Sequence, residues 1–351
     1  QDERHRADAL VALAPYLNEQ LLQEGLIAAR KIQNERSRAY VLATLAPYLS
    51  GEEQECVLQD GLIAALKIQD ERFRARSLAS LAPHLHGQLL QQGLAAIHDI
   101  QDERFRADAL TALVPCLNDE AQERALQDGL AALAIQDSQL QSDTLTALAP
   151  YLSGQILEQG LLAALAIQDE EFRAKALAAL APGLSGHLLQ QGLMAALVIQ
   201  DEVSRAKALA VLASYLSGED QKRALQKSLV VACTIQDERS RADVLMDLIP
   251  LLSGQLLQET LASVLVIQDE RSRSDVLATL APYLKEQSLQ EGLTATFAIQ
   301  DKAAQVYVLA MLVPRLSDEV QEHALQEGLT AACTIHDERQ RAQALTALAP
   351  Y

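Results

Sequence analysis

Residues Ile267-Gln268-Asp269-Glu270-Arg271-Ser272-Arg273-Ser274-Asp275-Val276-Leu277-Ala278-Thr279-Leu280-Ala281-Pro282-Tyr283-Leu284 decide the fold, because the chain writes versions of them eleven times. The opening acid or its isostere stands at Asp2, Asn34, Asp70, Asp102, Asp137, Asp169, Asp201, Asp237, Asp269, Asp301 and Asp337, giving a unit of 32–36 residues. A period of that length marks one supersecondary unit stacked on copies of itself. No linker interrupts it, so we expect one repeat domain over residues 1–351.

With the opening acid as position 0, Leu holds positions 8 and 11 in every unit, from Leu10 and Leu13 to Leu345 and Leu348. Together with the small residue at position 5 and Leu at 15, these lie on one side of a helix of 3.6 residues per turn. The acid can cap the free N–H groups of the first turn of this helix A. All ten prolines stand at position 13, and only Ser214 interrupts the series. Pro lacks the N–H and clashes with the preceding turn, so it predicts a kinked last turn of helix A.

A short turn then leads into helix B, whose leucines flank a small residue that is Gly in eight of ten units. Gly in a helix costs about 1 kcal/mol against Ala, so its recurrence predicts close approach by a neighbouring helix. Four units carry extra residues beginning near Gly51, Asp119, Gly218 and Asp318. Four residues lengthen a helix by about 6 Å, and Ser50 with Glu53 fits a capping box at one such start. The predicted fold is all-α, an α-solenoid of about ten and a half helix-turn-helix repeats.

Position 4 is Arg in nine units and Gln in the others, Gln141 and Gln305. An acid four residues earlier accompanies nearly every such Arg. We therefore expect a structural ladder, through Asp169 with Arg173, Asp201 with Arg205 and Asp237 with Arg241, rather than a row of anion-binding arginines.

A helical hairpin that ends in Asp and continues Arg-Ala-x-x-Leu-x-x-Leu resembles the HEAT-like branch of the α-solenoids. The resemblance covers the whole chain, through segments such as Ile267–Arg273. It departs in the shorter unit and in Arg only four residues after Asp. The unit length is similar to that of tetratricopeptide repeats, whose Trp, Gly and Tyr pattern is absent. What the resemblance implies is a right-handed superhelix that binds partners, with the Asp and Arg forming a ladder between repeats.

The net charge of −18 argues against a nucleic-acid partner, which needs clustered Lys and Arg. No apolar run is long enough to span a bilayer. Cys56, Cys116, Cys233 and Cys333 lie in different units without CxxC spacing, and reduced thiols point to the cytoplasm. The chain opens at the start of one unit and stops within another, so we expect a fragment of a longer protein. Its terminal Leu rows, such as Leu10, Leu13 and Leu17, carry no polar cap, and end-to-end self-association is expected.

Repetition itself argues against catalysis, since an active site needs a unique constellation. His84 and His86 at a turn, with His98 in the following helix, could ligate zinc by count, but His84 and His86 replace the Tyr and Ser of exposed loops elsewhere in the array, and we expect no metal and no cofactor. We find no candidate triad and no phosphate-binding Gly loop. A HEAT-like enzyme of the chromophore-lyase type would require a pocket lined by unit-specific polar residues. The expected function is a non-catalytic protein–protein interaction scaffold or recognition arm, alternatively the sensor array of a signalling NTPase or effector, with a protein or peptide partner. Two apolar series are candidate contacts. One lies on helix B, two and six residues after the small position: Leu162, Met194, Val198, Val230 and Val266. The other occupies position 3 of helix A, at Phe73, Phe105, Leu140 and Phe172. Tight winding of the solenoid would bury the first row against neighbouring repeats.

Overall fold

The computed structural model describes residues 3–131, 133 and 137–351, which contain twenty-one α-helices and no strand. Helix A runs for eleven residues in most units, as in Glu35–Leu45, Glu170–Leu180 and Glu270–Leu280. Each of the ten described openers, Asn34 through Asp337, accepts a backbone N–H of its first turn through its side chain. Asp2 lies outside the described residues.

The proline at position 13 acts as its chemistry dictates. After Leu45 the chain tightens into a 3-10 turn, Ala46–Tyr48, and the same happens at Ala149–Tyr151 and Ala281–Tyr283. The proline-free unit supplies the internal control. There the α-helix runs one residue further, Glu202–Ala213, and the Ser214 N–H donates to the Ala210 carbonyl at 3.2 Å.

Helix B begins after a sharp turn. In six units a Gly in the left-handed region (φ +51° to +60°, for example Gly51 and Gly186) turns the chain; in one, Glu286 adopts φ +46° instead. Three of the four lengthened B helices, Gly51–Lys67, Gly218–Thr234 and Asp318–Thr334, have seventeen residues. The fourth begins at Asp119 as expected and is described as far as Ala131; residues 132 and 134–136 fall outside those described. The capping box at Ser50 does not form: Ser50 makes no side-chain cap, and Glu53 instead accepts from the amide of Gln23, one repeat back.

Contacts group the chain into two compact units, Gln1–Gly183 and Leu184–Tyr351. Each is built alike, with helices A and B packing through the leucines of positions 8 and 11. In the first unit Leu42, Leu45, Leu110 and Leu113 are fully buried; in the second, Leu245, Leu248 and Leu312 are as well. The isoleucine closing helix B is buried in every described unit, from Ile32 to Ile335. At about 25 cal/mol per Å² of apolar area removed from water, these rows supply the main stabilisation.

The small residue of helix B sits where a leucine crosses. A Cβ at Gly160 would lie 2.7 Å from Leu152 Cδ1, and one at Gly292 would lie 2.6 Å from Leu284 Cδ1. Where the position is not Gly, its hydroxyl is buried and satisfied: Ser228 donates to the Ala206 carbonyl and Thr260 to that of Leu256, both at 2.7 Å.

Candidate functional site

The arginine of position 4 bonds to groups of the chain itself, and its partners differ from those expected. Arg173 donates from Nη1 to the Ile167 carbonyl at 3.0 Å and from Nη2 to Glu170 Oε1 at 3.1 Å. Arg241 does the same with the Ile235 carbonyl and Glu238. Arg205 reaches the carbonyls of Ile199 and Gln200. Asp169, Asp201 and Asp237 are engaged elsewhere, capping the amides of Phe172, Ser204 and Ser240. An N-capping carboxylate faces the start of its own helix, which leaves the Glu one residue on as the acid within reach.

That Glu carries the contact between repeats. The Glu71 carboxylate accepts the N–H of Gln101 at 3.1 Å and of Asp102 at 2.8 Å, while also taking Arg74 Nη2 at 3.1 Å. Glu3, Glu238 and Glu270 hold the corresponding amides of their following repeats. Ser138 replaces Glu in one unit, and its hydroxyl receives the Asp169 N–H. These units are 32 residues long. In the 36-residue unit that opens at Asn34, Glu35 meets Arg38 alone, because the extra turn of helix B displaces the next opener. The donated hydrogen bonds hold Glu71 and Glu238 below the usual glutamate range, the next repeat's amides being the largest cause. Gln at position 4 bonds to a different carbonyl: Gln141 Nε2 donates to Leu133 at 2.8 Å and Gln305 Nε2 to Phe297 at 3.1 Å, each eight residues back, whereas Arg173 reaches Ile167, six residues back.

The helix-B row is solvent-facing in both units. Leu162 in the first unit and Met194, Val198, Val230 and Val266 in the second are 58–64 % exposed. Winding does not bury them. In the second unit the row borders an open groove of about 420 Å³ lined by Leu197, Val230, Val231 and the side chains of Arg205, Arg223 and Lys227. An apolar floor with a basic rim suits a partner segment that offers apolar and acidic side chains together.

The position-3 series does not form one stripe. Leu140 is buried, whereas Phe73, Phe105 and Phe172 are half-buried. Phe73 lies beneath the guanidinium of Arg36, whose carbon is 3.5 Å from the ring centroid. The histidines separate as well. His98 faces Asp128 of the next repeat at 3.6 Å, while the His86 ring contacts the His84 carbonyl. Among the described residues no helix is long and apolar enough to cross a membrane.

Solved structures of Kap121p bound to Ste12p and bound to Nup53p resemble this chain with TM-scores of 0.54 and 0.55, at 14% sequence identity over 97% of this chain and 43% of theirs. Kap121p bound to RanGTP gives a TM-score of 0.53 at 15% identity, over 97% of this chain and 42% of that one. The chain therefore spans about two fifths of the length of these proteins. The likeness speaks to fold: this is a HEAT-like α-solenoid. No family model matches the sequence, and no curated protein is a significant match.

Proposed function

We propose that this chain is the recognition or scaffolding arm of a larger cytoplasmic protein, holding a protein or peptide partner and catalysing no reaction itself. The observations that carry this reading are the exposed Met194 and Val230 on successive B helices of the second unit, the exposed Val198 and Val266 in the turns that follow B helices, and the groove at Val230. Large apolar side chains in that number, set among polar neighbours, characterise surfaces that a partner covers. The resembling structures show Kap121p bound to Ste12p, to Nup53p and to RanGTP, which supports the same reading at the level of fold.

The test replaces Met194 and Val230 together with Asp. Because both side chains face solvent, the variant should melt like the parent, while partners recovered from a cytoplasmic extract are lost. Lys175→Ala/Lys207→Ala, at exposed positions away from the row, should recover them as the parent does. Retention of every partner by the Met194/Val230 variant, or its unfolding, would defeat the assignment.

A further inference from the structure

The chain carries eighteen net negative charges, yet its first unit contains a basic groove. Position 2 of helix A is Arg in four successive units, Arg4, Arg36, Arg72 and Arg104, and the helices that bear them pack side by side. Arg76, one turn further along its helix, lies among them. Two adjoining depressions result, of about 900 and 440 Å³, and Arg76 lines both. Tyr40, Phe73 and Phe105 supply aromatic wall, and Ser37, Ser77 and Ser80 supply hydroxyls.

The arginines outnumber the carboxylates that share these depressions, Glu3, Asp8 and Asp108. Among the described residues, Arg36, Arg72, Arg76 and Arg104 have no carboxylate within 4.0 Å; Arg36 stacks on Phe73 instead. Burial and the neighbouring charges of Arg4, Arg76 and Arg72 push the Arg36 guanidinium below its ordinary pKa, against the pull of Asp70. Arg36, Arg72, Arg76 and Arg104, held together without a carboxylate partner among the described residues, form a surface whose electrostatic need is an anion. At physiological salt, screening over about 8 Å lets this local charge prevail over the acidic remainder of the chain.

We propose that the groove lined by Arg4, Arg36, Arg72, Arg76 and Arg104 binds an extended acidic peptide. Packed helices stand about 8–10 Å apart, which sets the spacing of successive position-2 arginines. An extended chain in the polyproline II conformation turns once every three residues and advances about 3.1 Å per residue, so carboxylates at every third residue share one side and meet one arginine per repeat. The interspersed Glu3, Asp8 and Asp108 repel a continuous polyphosphate, but they fall between the acids of such a peptide. The serine hydroxyls can pair with its backbone, and the aromatic walls with the residues between its acids. This site lies in the first unit and stands independently of the apolar row of the second.

The probe is a fluorescein-labelled peptide of about twelve residues with Glu at every third position and Ser or Gly between. Anisotropy at near-physiological salt should show saturable binding that weakens with added salt. The same peptide with Gln for Glu, and one with its glutamates clustered at one end, should bind at least about tenfold more weakly. Arg36→Gln/Arg76→Gln should lose binding by a similar factor, whereas Arg239→Gln/Arg271→Gln in the second unit should retain it. Asp108→Asn should tighten binding, a gain that misfolding cannot mimic. Absence of binding by the parent chain, equal affinity for the Gln peptide, or indifference to the Arg36/Arg76 change would overturn the proposal. So would an oligothymidylate that binds more tightly and displaces the peptide, since the groove would then be a nucleic-acid site.

Discussion

Glu238 holds the backbone N–H of Asp269, thirty-one residues further on, at 2.6 Å. Asp269 is the cap of the next helix A, so one carboxylate fixes the point at which the following repeat begins. Arg241 braces the same carboxylate and ties it to the Ile235 carbonyl at the end of the preceding helix B. At Glu71, Glu238 and Glu270 the contact between repeats is thus a chain of three groups: a helix-end carbonyl, the Arg, and a Glu whose second duty is the next opener.

Removing the arginine exposes the weakest link of that chain. Arg173→Ala removes the guanidinium that donates to both the Ile167 carbonyl and the Glu170 carboxylate in a half-buried setting, and should cost about 1–3 kcal/mol in urea unfolding. Arg173→Gln should recover part of the loss, because Gln141 and Gln305 also donate to carbonyls near the end of the preceding helix B, at Leu133 and Phe297, two residues before the equivalents of Ile167. If Gln is as damaging as Ala, the carbonyl bond is not what the arginine supplies.

The acid response follows from the same carboxylates. Glu71 and Glu238 are held below the ordinary 4.5 by amides of the next repeat, and Asp237 and Asp269 below 3.8 by the hydroxyls and amides of Ser240 and Ser272. A depressed folded value favours the native state above the ordinary range, and that contribution disappears as pH falls through the folded values. The urea midpoint should therefore change little between about pH 7 and 5 and fall below that. Asp108 works in the opposite sense, since burial raises its pKa. Glu71→Gln/Glu238→Gln should lower the neutral-pH midpoint and flatten the acid limb. An unchanged limb would show that these clamps are not what titrates.

Much of this was legible in the sequence because each device recurs at a fixed position. The capping acids, the leucines at positions 8 and 11, the proline and the crossing glycine each follow from local chemistry, and Ser214 even supplied the exception. What the sequence concealed was any choice between adjacent residues. Asp269 and Glu270 are both acids within reach of Arg273, and only the commitment of the first to its own helix cap leaves the second free to bridge. A signal existed in the recurrence of Glu at position 1 and its replacement by Ser138, a side chain that still accepts an amide. The basic groove was hidden for another reason: Arg4, Arg36, Arg72 and Arg104 are 32–36 residues apart and meet only when their helices pack.

The outermost A helices should make the 351-residue polypeptide associate with itself. Leu13 is 52 % exposed, whereas its equivalent Leu45 is fully buried, and Leu345 is 38 % exposed. Each of these leucines lacks the neighbouring repeat that covers its counterparts, and burial is worth about 1.5–3 kcal/mol per large apolar side chain. Sedimentation should show the mean mass rising with concentration, and Leu13→Glu/Leu345→Glu should abolish the rise. A constant monomer mass for the parent chain would refute this.

The glycines of helix B offer a graded test of close packing. At Gly25 a Cβ would meet Leu17 Cδ1 at 3.5 Å, an ordinary contact, so Gly25→Ala should stabilise by up to about 1 kcal/mol through helix propensity. At Gly292 the corresponding distance to Leu284 Cδ1 is 2.6 Å. Leu284 is buried, so the displaced methyl has to move within a filled core, and overpacking of that kind costs about 1–3 kcal/mol. Gly292→Ala should therefore forfeit the propensity gain and fall below the parent, with Gly192→Ala between the two, since its nearest contact is Leu184 Cδ1 at 3.3 Å. Thermal melts of the three single variants rank them directly. A Gly292→Ala chain more stable than Gly25→Ala would mean that the leucine yields freely and that close approach is not why glycine recurs.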